Sequence, residues 1–276
     1  DGIFLDEAQT IKNPDTQIAR AIRSLTGTFR LSITGTLIEN HAKELWSQFA
    51  FLMPGLLGER EAFEANLALG EVDRRHTNKI QRLIRPFILR RKKEEVAPEL
   101  PPLQEQTCYI TLSEEQRACY EEFLFAAKRG GLKNKIEIFE TLLRLRQICC
   151  HPLLVGSTSS SSKYEALLAD IETIAEEGKK ALVFSQFTSM LHLIANELKN
   201  RHIPYVILEG ATTDRETPVQ IFQNDPNIPI FLISLKAGGV GLNLTAADYV
   251  LLYDPWWNEA AERQAISRAH RIGQTK

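Results

Sequence analysis

Four short, nearly continuous apolar runs mark the second half of the chain: Ala181-Leu-Val-Phe184, Tyr205-Val-Ile-Leu208, Ile230-Phe-Leu-Ile-Ser-Leu235 and Tyr249-Val-Leu-Leu-Tyr253. A strand with one wet face alternates apolar and polar residues. Runs without that alternation predict strands buried on both faces, as in a parallel sheet. Between them the period becomes helical, with Leu191, Ile194, Ala195 and Leu198 at three- and four-residue steps within Thr188 to Asn200. Ser162-Lys-Tyr-Glu165 reads as a capping box, and Gly178 stands where a helix C-cap would be. Thr217-Pro218 reads as an N-cap followed by an N1 proline. Alternating strands and helices predict βαβ crossovers and an α/β layer fold.

The middle is mostly helical. Ser113-Glu-Glu-Gln116 is a second capping-box pattern, opening a helix to roughly Ala127. After Gly130-Gly131, Ile136, Phe139, Leu143 and Ile148 mark another amphipathic helix, and Thr158 to Ser162 reads as a flexible serine-rich connection. Pro98, Pro101 and Pro102 predict an extended linker over about 97–104. Placing the boundary there gives a first domain at 1–103 and a second at 104–276, the latter with a helical insertion at about 113–155. The first domain holds one strand at Ile3 to Leu5, another near Leu31 to Ile33, and several helices.

Composition adds boundaries to this picture. Hydrophobic residues are 43% and charged ones 25%, a globular balance. The formal charge of -2 means that any nucleic-acid site must come from local clusters. No apolar run reaches membrane-span length and no signal peptide opens the chain, so neither a membrane nor a secreted protein is expected. Cys108, Cys119, Cys149 and Cys150 form no C-x-x-C pair, so buried, reduced thiols are the expectation.

Candidate chemistry gathers at strand ends. Ile3-Phe-Leu-Asp6-Glu7-Ala-Gln9 ends an apolar strand in two acids. Such an aspartate can hold Mg²⁺ and the adjacent glutamate can deprotonate a water, though acids there also cap helices. Ile33-Thr34-Gly35-Thr36 follows another strand and reads equally as a capping turn. Ser234-Leu-Lys236-Ala-Gly238-Gly239-Val-Gly241-Leu-Asn243 combines a lysine with glycines whose backbone N–H groups can approach phosphates, or is a plain turn. Gln264, Arg268 and Arg271 fall on one face of a predicted helix, as an arginine finger would or as a solvated basic face would. Arg85, Arg90, Arg91, Lys92 and Lys93 form a second basic cluster, solvated or in contact with phosphate backbones. Trp256-Trp257 reads as packing at a strand end rather than a base-stacking platform.

The order of these segments resembles the Swi/Snf-type ATPases of helicase superfamily two. Asp6-Glu-Ala-Gln9 is similar to motif II, Leu31 to Asn40 to motif III, and Val183-Phe-Ser-Gln-Phe187 to motif IV. Leu208-Glu-Gly-Ala-Thr212 resembles the segment that follows motif IV. Ser234 through Asp248 resembles motif V and Gln264 through Gln274 motif VI, with family-specific stretches at Arg85–Lys92 and Leu145–Pro152. The resemblance covers essentially the whole chain. It implies RecA-like parallel-sheet lobes with helical insertions, the first lobe incomplete, and ATP in the cleft between lobes. The activity implied is translocation on double-stranded DNA, with a nucleoprotein complex as the remodelled target. It further implies that Asp6 binds Mg²⁺ and Glu7 activates water, while Arg268 and Arg271 complete the site. Gln9, Thr34, Gly35, Thr36, Gly239, Gly241 and Gln264 would couple nucleotide state to DNA, and Thr212, Lys236 and Asn243 would touch the DNA backbone. A strand-separating helicase or a non-hydrolysing regulatory module are the rival readings, the family-specific stretches opposing the first and the retained Asp6, Glu7, Arg268 and Arg271 the second. The expected location is the cytoplasm, at the nucleoid, or the nucleus in a eukaryote.

Two departures stand out. Motif II often ends in His in this family, where Gln9 stands here. No G-x-x-x-x-G-K-[ST] phosphate loop occurs in the sequence, since Gly178-Lys179 lacks the required glycine and hydroxyl. In the family that loop precedes motif II, and the family's closing segment follows motif VI, so the chain reads as a fragment. The 276-residue chain alone is therefore expected to hydrolyse ATP negligibly, for want of the backbone cradle and lysine that hold the β- and γ-phosphates. DNA-stimulated turnover by the purified chain near that of intact relatives would contradict this.

Overall fold

The computed structural model describes residues 1–35, 42–65, 74–131, 134–238, 242–256, 259–271 and 273–274; of 42, 74–77, 94 and 259–261 it describes the backbone alone. The chain divides into two compact units, Asp1–Arg91 and Lys92–Lys276. The proline-bearing stretch at 97–104 lies inside the second.

In the first unit β1 (Gly2–Leu5) and β2 (Phe29–Ser32) are parallel, Gly2 opposite Phe29 and Leu5 opposite Ser32. The Gln17–Ser24 helix lies between them in sequence, and its N-terminus is capped by Thr16, whose hydroxyl accepts from the Ala19 amide at 3.2 Å. Ile3 and Leu5 pack on buried Ile11, Ala19 and Phe51. Arg30 donates from β2 to the carbonyls of Leu25 and Phe51, both at 2.6 Å. That fastens the Ala42–Leu52 helix to the sheet. A second small core of Leu45, Phe49, Phe63 and Ile84 joins this helix to the Arg74–Ile84 helix.

The second unit is built on four parallel strands in the order β4-β5-β3-β6: β3 (Ala181–Ser185), β4 (Tyr205–Leu208), β5 (Ile230–Ser234) and β6 (Tyr249–Leu252). Two-sided burial holds for the central strands, in which every residue of β3 and β5 is buried; the edge strands keep part of their surface. Alternate residues serve opposite faces. Ala181, Val183, Ile230 and Leu232 pack with Leu168, Ile171, Met190, Leu191 and Ile194. Leu182, Phe184, Phe231 and Ile233 pack with Phe222, Leu244, Ala265 and Ala269 on the other side. Each such fully buried Leu, Ile or Phe contributes about 1.5–3 kcal/mol.

Helix boundaries follow from capping chemistry, with small displacements from expectation. Ser113 caps the Glu114–Gly130 helix as expected, accepting from the Gln116 amide. The Gln116 side chain does not close the box, because its amide donates instead to the Ile148 carbonyl at 2.7 Å. The Ser162–Glu176 helix is capped one residue earlier than expected, by Ser161. Ser161 is fully buried and also donates to the Cys150 carbonyl at 2.9 Å, so the serine-rich stretch ends in an anchor rather than a flexible connection. Gly178 ends that helix with φ 67°, its amide on the Ala175 carbonyl and that of Lys179 on Ile174, a full Schellman pair. The Glu216–Asn224 helix starts before Thr217, and Asp214 does the capping, accepting from the amides of Glu216 and Thr217.

Two expectations fail for tertiary reasons. Within the Lys135–Cys150 helix only the last turns are buried, at Leu145, Ile148 and Cys150, whereas Ile136, Phe139 and Leu143 are 69%, 68% and 45% exposed. All four cysteines are free, but only Cys150 is buried and Cys108 is exposed. Among the described residues no helix is long and apolar enough to cross a membrane.

The carboxyl edge of the second sheet contains a buried carboxylate. Asp254, two residues past β6, accepts from the Ser185 hydroxyl at 2.7 Å and the Gln186 amide at 2.9 Å, and the Cys150 thiol lies 3.9 Å away. Tyr253 donates to the Cys150 carbonyl at 2.6 Å, so the end of the helical insertion is tied to the sheet edge twice. Burial, reinforced by Asp254, pushes the Cys150 thiol up to about 12, keeping it a donor. Burial also raises the Asp254 carboxyl above its ordinary 3.8, against the lowering effect of Ser185 and Gln186. Asp254→Ala removes the acceptor of the Ser185 hydroxyl and the Gln186 amide and should destabilise the fold by about 1–3 kcal/mol for each donor left unsatisfied. Because the folded value is raised, the proton favours the fold. That contribution is complete below the unfolded value of 3.8 and lost as pH rises through the folded one. Chemical unfolding should therefore show wild type gaining on Asp254→Asn as pH falls from neutral towards that value; a gap independent of pH would contradict it.

Candidate functional site

At the carboxyl edge of the first sheet the ladder continues past the strands. The Ile33 amide donates to the Leu5 carbonyl at 2.8 Å and the Ala8 amide to the Ile33 carbonyl at 3.0 Å, which draws the two loops together. Asp6 lies at the end of β1, exposed, with Oδ1 accepting from the Glu7 amide at 2.8 Å. Glu7 adopts φ 47° and ψ 50°, the left-handed region uncommon for an L residue with a side chain. The acids do not cap the turn that follows: Glu7 makes no side-chain capping bond to the Ala8–Ile11 turn.

Gln9 connects the loops. Its Nε2 donates to Glu7 Oε2 at 2.7 Å, and its Oε1 accepts from the Thr34 hydroxyl at 2.9 Å. The amide cannot be reversed without turning its oxygen on a carboxylate, so Glu7 fixes the orientation of Gln9 and Thr34 completes the chain. Gly35 is exposed, and a side chain there would meet no atom within 4 Å, so crowding does not explain the glycine. Thr36 lies outside the described residues.

Beneath these loops are two supports that sequence reading missed. Gln48, 1% exposed, donates to the Ala8 carbonyl at 2.9 Å and accepts from Ser32 at 2.7 Å, and buried Ser47 donates to the Ile11 carbonyl. Their signal is weak in sequence: a Ser-Gln pair amid apolar residues of a helix, with partners 16 to 40 residues distant.

In the second unit the motif V and VI segments are joined. The Leu244 amide donates to the Arg268 carbonyl at 3.0 Å, Arg271 Nη1 to the Leu242 carbonyl at 3.2 Å, and Gln274 Nε2 to the Ala247 carbonyl at 2.8 Å. The helix here spans Glu259–Ala269, so Gln264 and Arg268 share it while Arg271 lies beyond its end, in the following turn. The three do not form one helical face. Arg268 is 6% exposed and Arg271 is exposed. Gln274, nearly buried, was not singled out in the sequence as a site residue.

Lys236 is exposed in the single turn Leu235–Gly238 that follows β5, where Ser234 accepts from the Ala237 amide. Asn243 is exposed. Thr212 closes a tight turn after β4, its hydroxyl accepting from the Glu209 amide at 3.0 Å. Gly239 and Gly241 lie outside the described residues, as does Trp257. A concavity of about 400 Å³, lined by Gly178, Lys179, His202, Pro204, Pro226 and Pro229, opens at the amino ends of β3, β4 and β5. It is away from the chemistry, since α/β sheets bind ligands beyond the carboxyl ends.

This arrangement has counterparts. The SNF2-related domain matches residues 1–154 and the helicase conserved C-terminal domain residues 162–273. The uncharacterized ATP-dependent helicase MG018 of Mycoplasma genitalium is 38% identical over 99% of the chain, which covers 27% of that protein. The human SWI/SNF-related matrix-associated actin-dependent regulator of chromatin subfamily A member 1 is 34% identical over 99% of the chain, which covers 28% of it. The chain thus spans less than a third of these curated relatives. Among solved structures, the Sulfolobus solfataricus SWI2/SNF2 ATPase core in complex with dsDNA is 37% identical with a TM-score of 0.56, over 100% of this chain and 61% of that one. With acids and their glutamine at one parallel edge and an arginine-bearing turn stitched to a glycine-rich loop at the other, the chain belongs to the SNF2-related family, and its sheets are of that family's RecA-like kind.

Proposed function

We propose that the chain carries the motor core of an ATP-driven translocase that moves on double-stranded DNA and remodels nucleoprotein. The observation that carries this reading is the Thr34–Gln9–Glu7 hydrogen-bond chain beside Asp6 at the carboxyl edge of two parallel strands. Glu7 accepts the proton of the attacking water, and Gln9 holds its carboxylate in one orientation. Through Thr34 the same amide links hydrolysis to the following loop, a path by which DNA state can reach the acid.

The donor set suits Mg²⁺. That ion keeps several waters and takes one or two carboxylates plus substrate phosphates, rather than a protein cage. Asp6 is exposed, and among the described residues there is no cluster of three or more metal-ligating side chains. Bound there, Mg²⁺ would neutralise phosphate charge. Arg268 and Arg271 supply positive charge to the transferred phosphoryl group. Lys236, Asn243 and Thr212 offer contacts to a phosphate backbone from the carboxyl edge of the second sheet. The duplex-bound archaeal relative supports double-stranded DNA as the track, and the name of the mycoplasmal one supports ATP as fuel.

In the full-length protein, Glu7→Gln should abolish turnover while ATP binding persists, because shape and hydrogen-bonding reach survive and only the base is lost. Thr34→Val should lower turnover by about 10-fold, the scale of one lost hydrogen bond to a polar relay. Steady-state hydrolysis alongside nucleotide-binding titration reads both, and wild-type turnover in Glu7→Gln would favour a regulatory module instead. DNA affinity should fall steeply between about 50 and 200 mM salt and depend little on sequence, as expected when phosphate contacts release counterions. Salt-insensitive binding would remove the phosphate track, and strand displacement in a duplex-unwinding assay would favour a helicase.

A further inference from the structure

His270 stands between the two arginines, and both its main chain and its ring are held by the segment that opens the second unit. Lys93 Nζ donates to the His270 carbonyl at 2.8 Å. The His270 ring nitrogen Nε2 lies 2.8 Å from the Pro101 carbonyl, which can only accept, so the proton sits on Nε2. The neighbouring carbonyls are engaged too: that of Arg268 by the Leu244 amide at 3.0 Å and that of Arg271 by the Gln274 amide at 2.9 Å. The last carbonyls of an α-helix have no partner within it, and a cation there also opposes the negative end of the helix dipole. Lys93 thus does two things at the end of the Glu259–Ala269 helix: it satisfies a carbonyl and places a charge.

Lys93 is exposed, yet partial desolvation, then the nearby Arg271 and Arg268, lower its pKa below the usual lysine value. A cation kept beside two others needs a reason in geometry. The hydrogen bond supplies one, because the carbonyl it holds belongs to the residue that sets the backbone path from Arg268 to Arg271.

Resting on the proposed role of those arginines, we infer that Lys93 is a positioning residue for the phosphate-facing turn. It acts on the phosphoryl group through Arg268 and Arg271 and does not touch it. Sequence reading grouped Lys93 with Arg85, Arg90, Arg91 and Lys92 as solvated or DNA-contacting charge, and the two roles separate experimentally.

In the full-length protein, Lys93→Ala, Lys93→Arg and Arg271→Ala are compared by ATP turnover at saturating DNA, melting temperature and DNA affinity against salt. Lys93→Ala should lower kcat by on the order of 10²-fold, the scale of a misplaced catalytic group, with KM for ATP and melting temperature changed little. Lys93→Arg should restore most of the rate, since a guanidinium also donates to a carbonyl. Arg271→Ala should cost more, roughly 10³–10⁵ in rate. If Arg271→Ala is slow and Lys93→Ala is not, Lys93 positions nothing and the inference is overturned while the arginine reading stands. Normal rates in both overturn both. A Lys93→Ala protein that melts early but keeps its turnover per folded molecule makes the lysine merely structural. Weaker DNA binding with a salt slope reduced by about one, at unchanged kcat, makes it a backbone contact instead.

Discussion

Strand β3 is paired on both sides along most of its length, and the register of those two ladders decides where the polar groups of the second unit fall. Ser185 lies opposite Ser234 on β5, and Phe184 opposite Leu252 on β6. Asp254 therefore emerges beside Ser185 and the Gln186 amide, while Ser234 turns the chain into the segment carrying Lys236. A slip of one residue would exchange the faces of β3, moving Ala181 and Val183 from one apolar layer to the other. Two full cores resist that slip, so the edge chemistry inherits its precision from packing well away from it.

The first unit uses the same device with less apolar material. Two four-residue strands extend their pairing through Ile33, Leu5 and Ala8, and that extension sets Thr34 across from Gln9. The buried amide of Gln48 then locks the loop from below. In both units backbone pairing sets the coarse position and a buried side-chain amide or carboxylate sets the fine one.

What the sequence made legible follows from this division. Strands β3 to β6 were readable to within a residue or so because each is an unbroken apolar run, which burial on both faces explains for β3 and β5 but not for the partly exposed edge strands β4 and β6. That Asp6, Glu7, Gln9 and Thr34 lie just beyond strand ends was readable from the apolar runs before them; that Gln9 bonds both Glu7 and Thr34 was not. The locking groups were not. Asp254 meets Ser185 across 69 residues, and Lys93 meets His270 across 177, separations at which no local pattern survives. The caps at Ser161 and Asp214 moved by one or a few residues because several hydroxyls and acids compete near each helix start, and only tertiary packing selects among them. Arg271 left its expected helical face because the helix stops at Ala269, where Leu244 takes the Arg268 carbonyl and Lys93 that of His270 just beyond.

Glu7 is an acid held in a backbone conformation that favours glycine, a local cost of about 1–2 kcal/mol. On the proposed role of Glu7, folding and chemistry pull this position in opposite directions. Glycine would relieve the backbone cost but would also remove the carboxylate that Gln9 bonds at 2.7 Å, so any gain in thermal resistance would come with a freed Gln9 amide. Under that reading, durability and activity are exchanged directly at this one position.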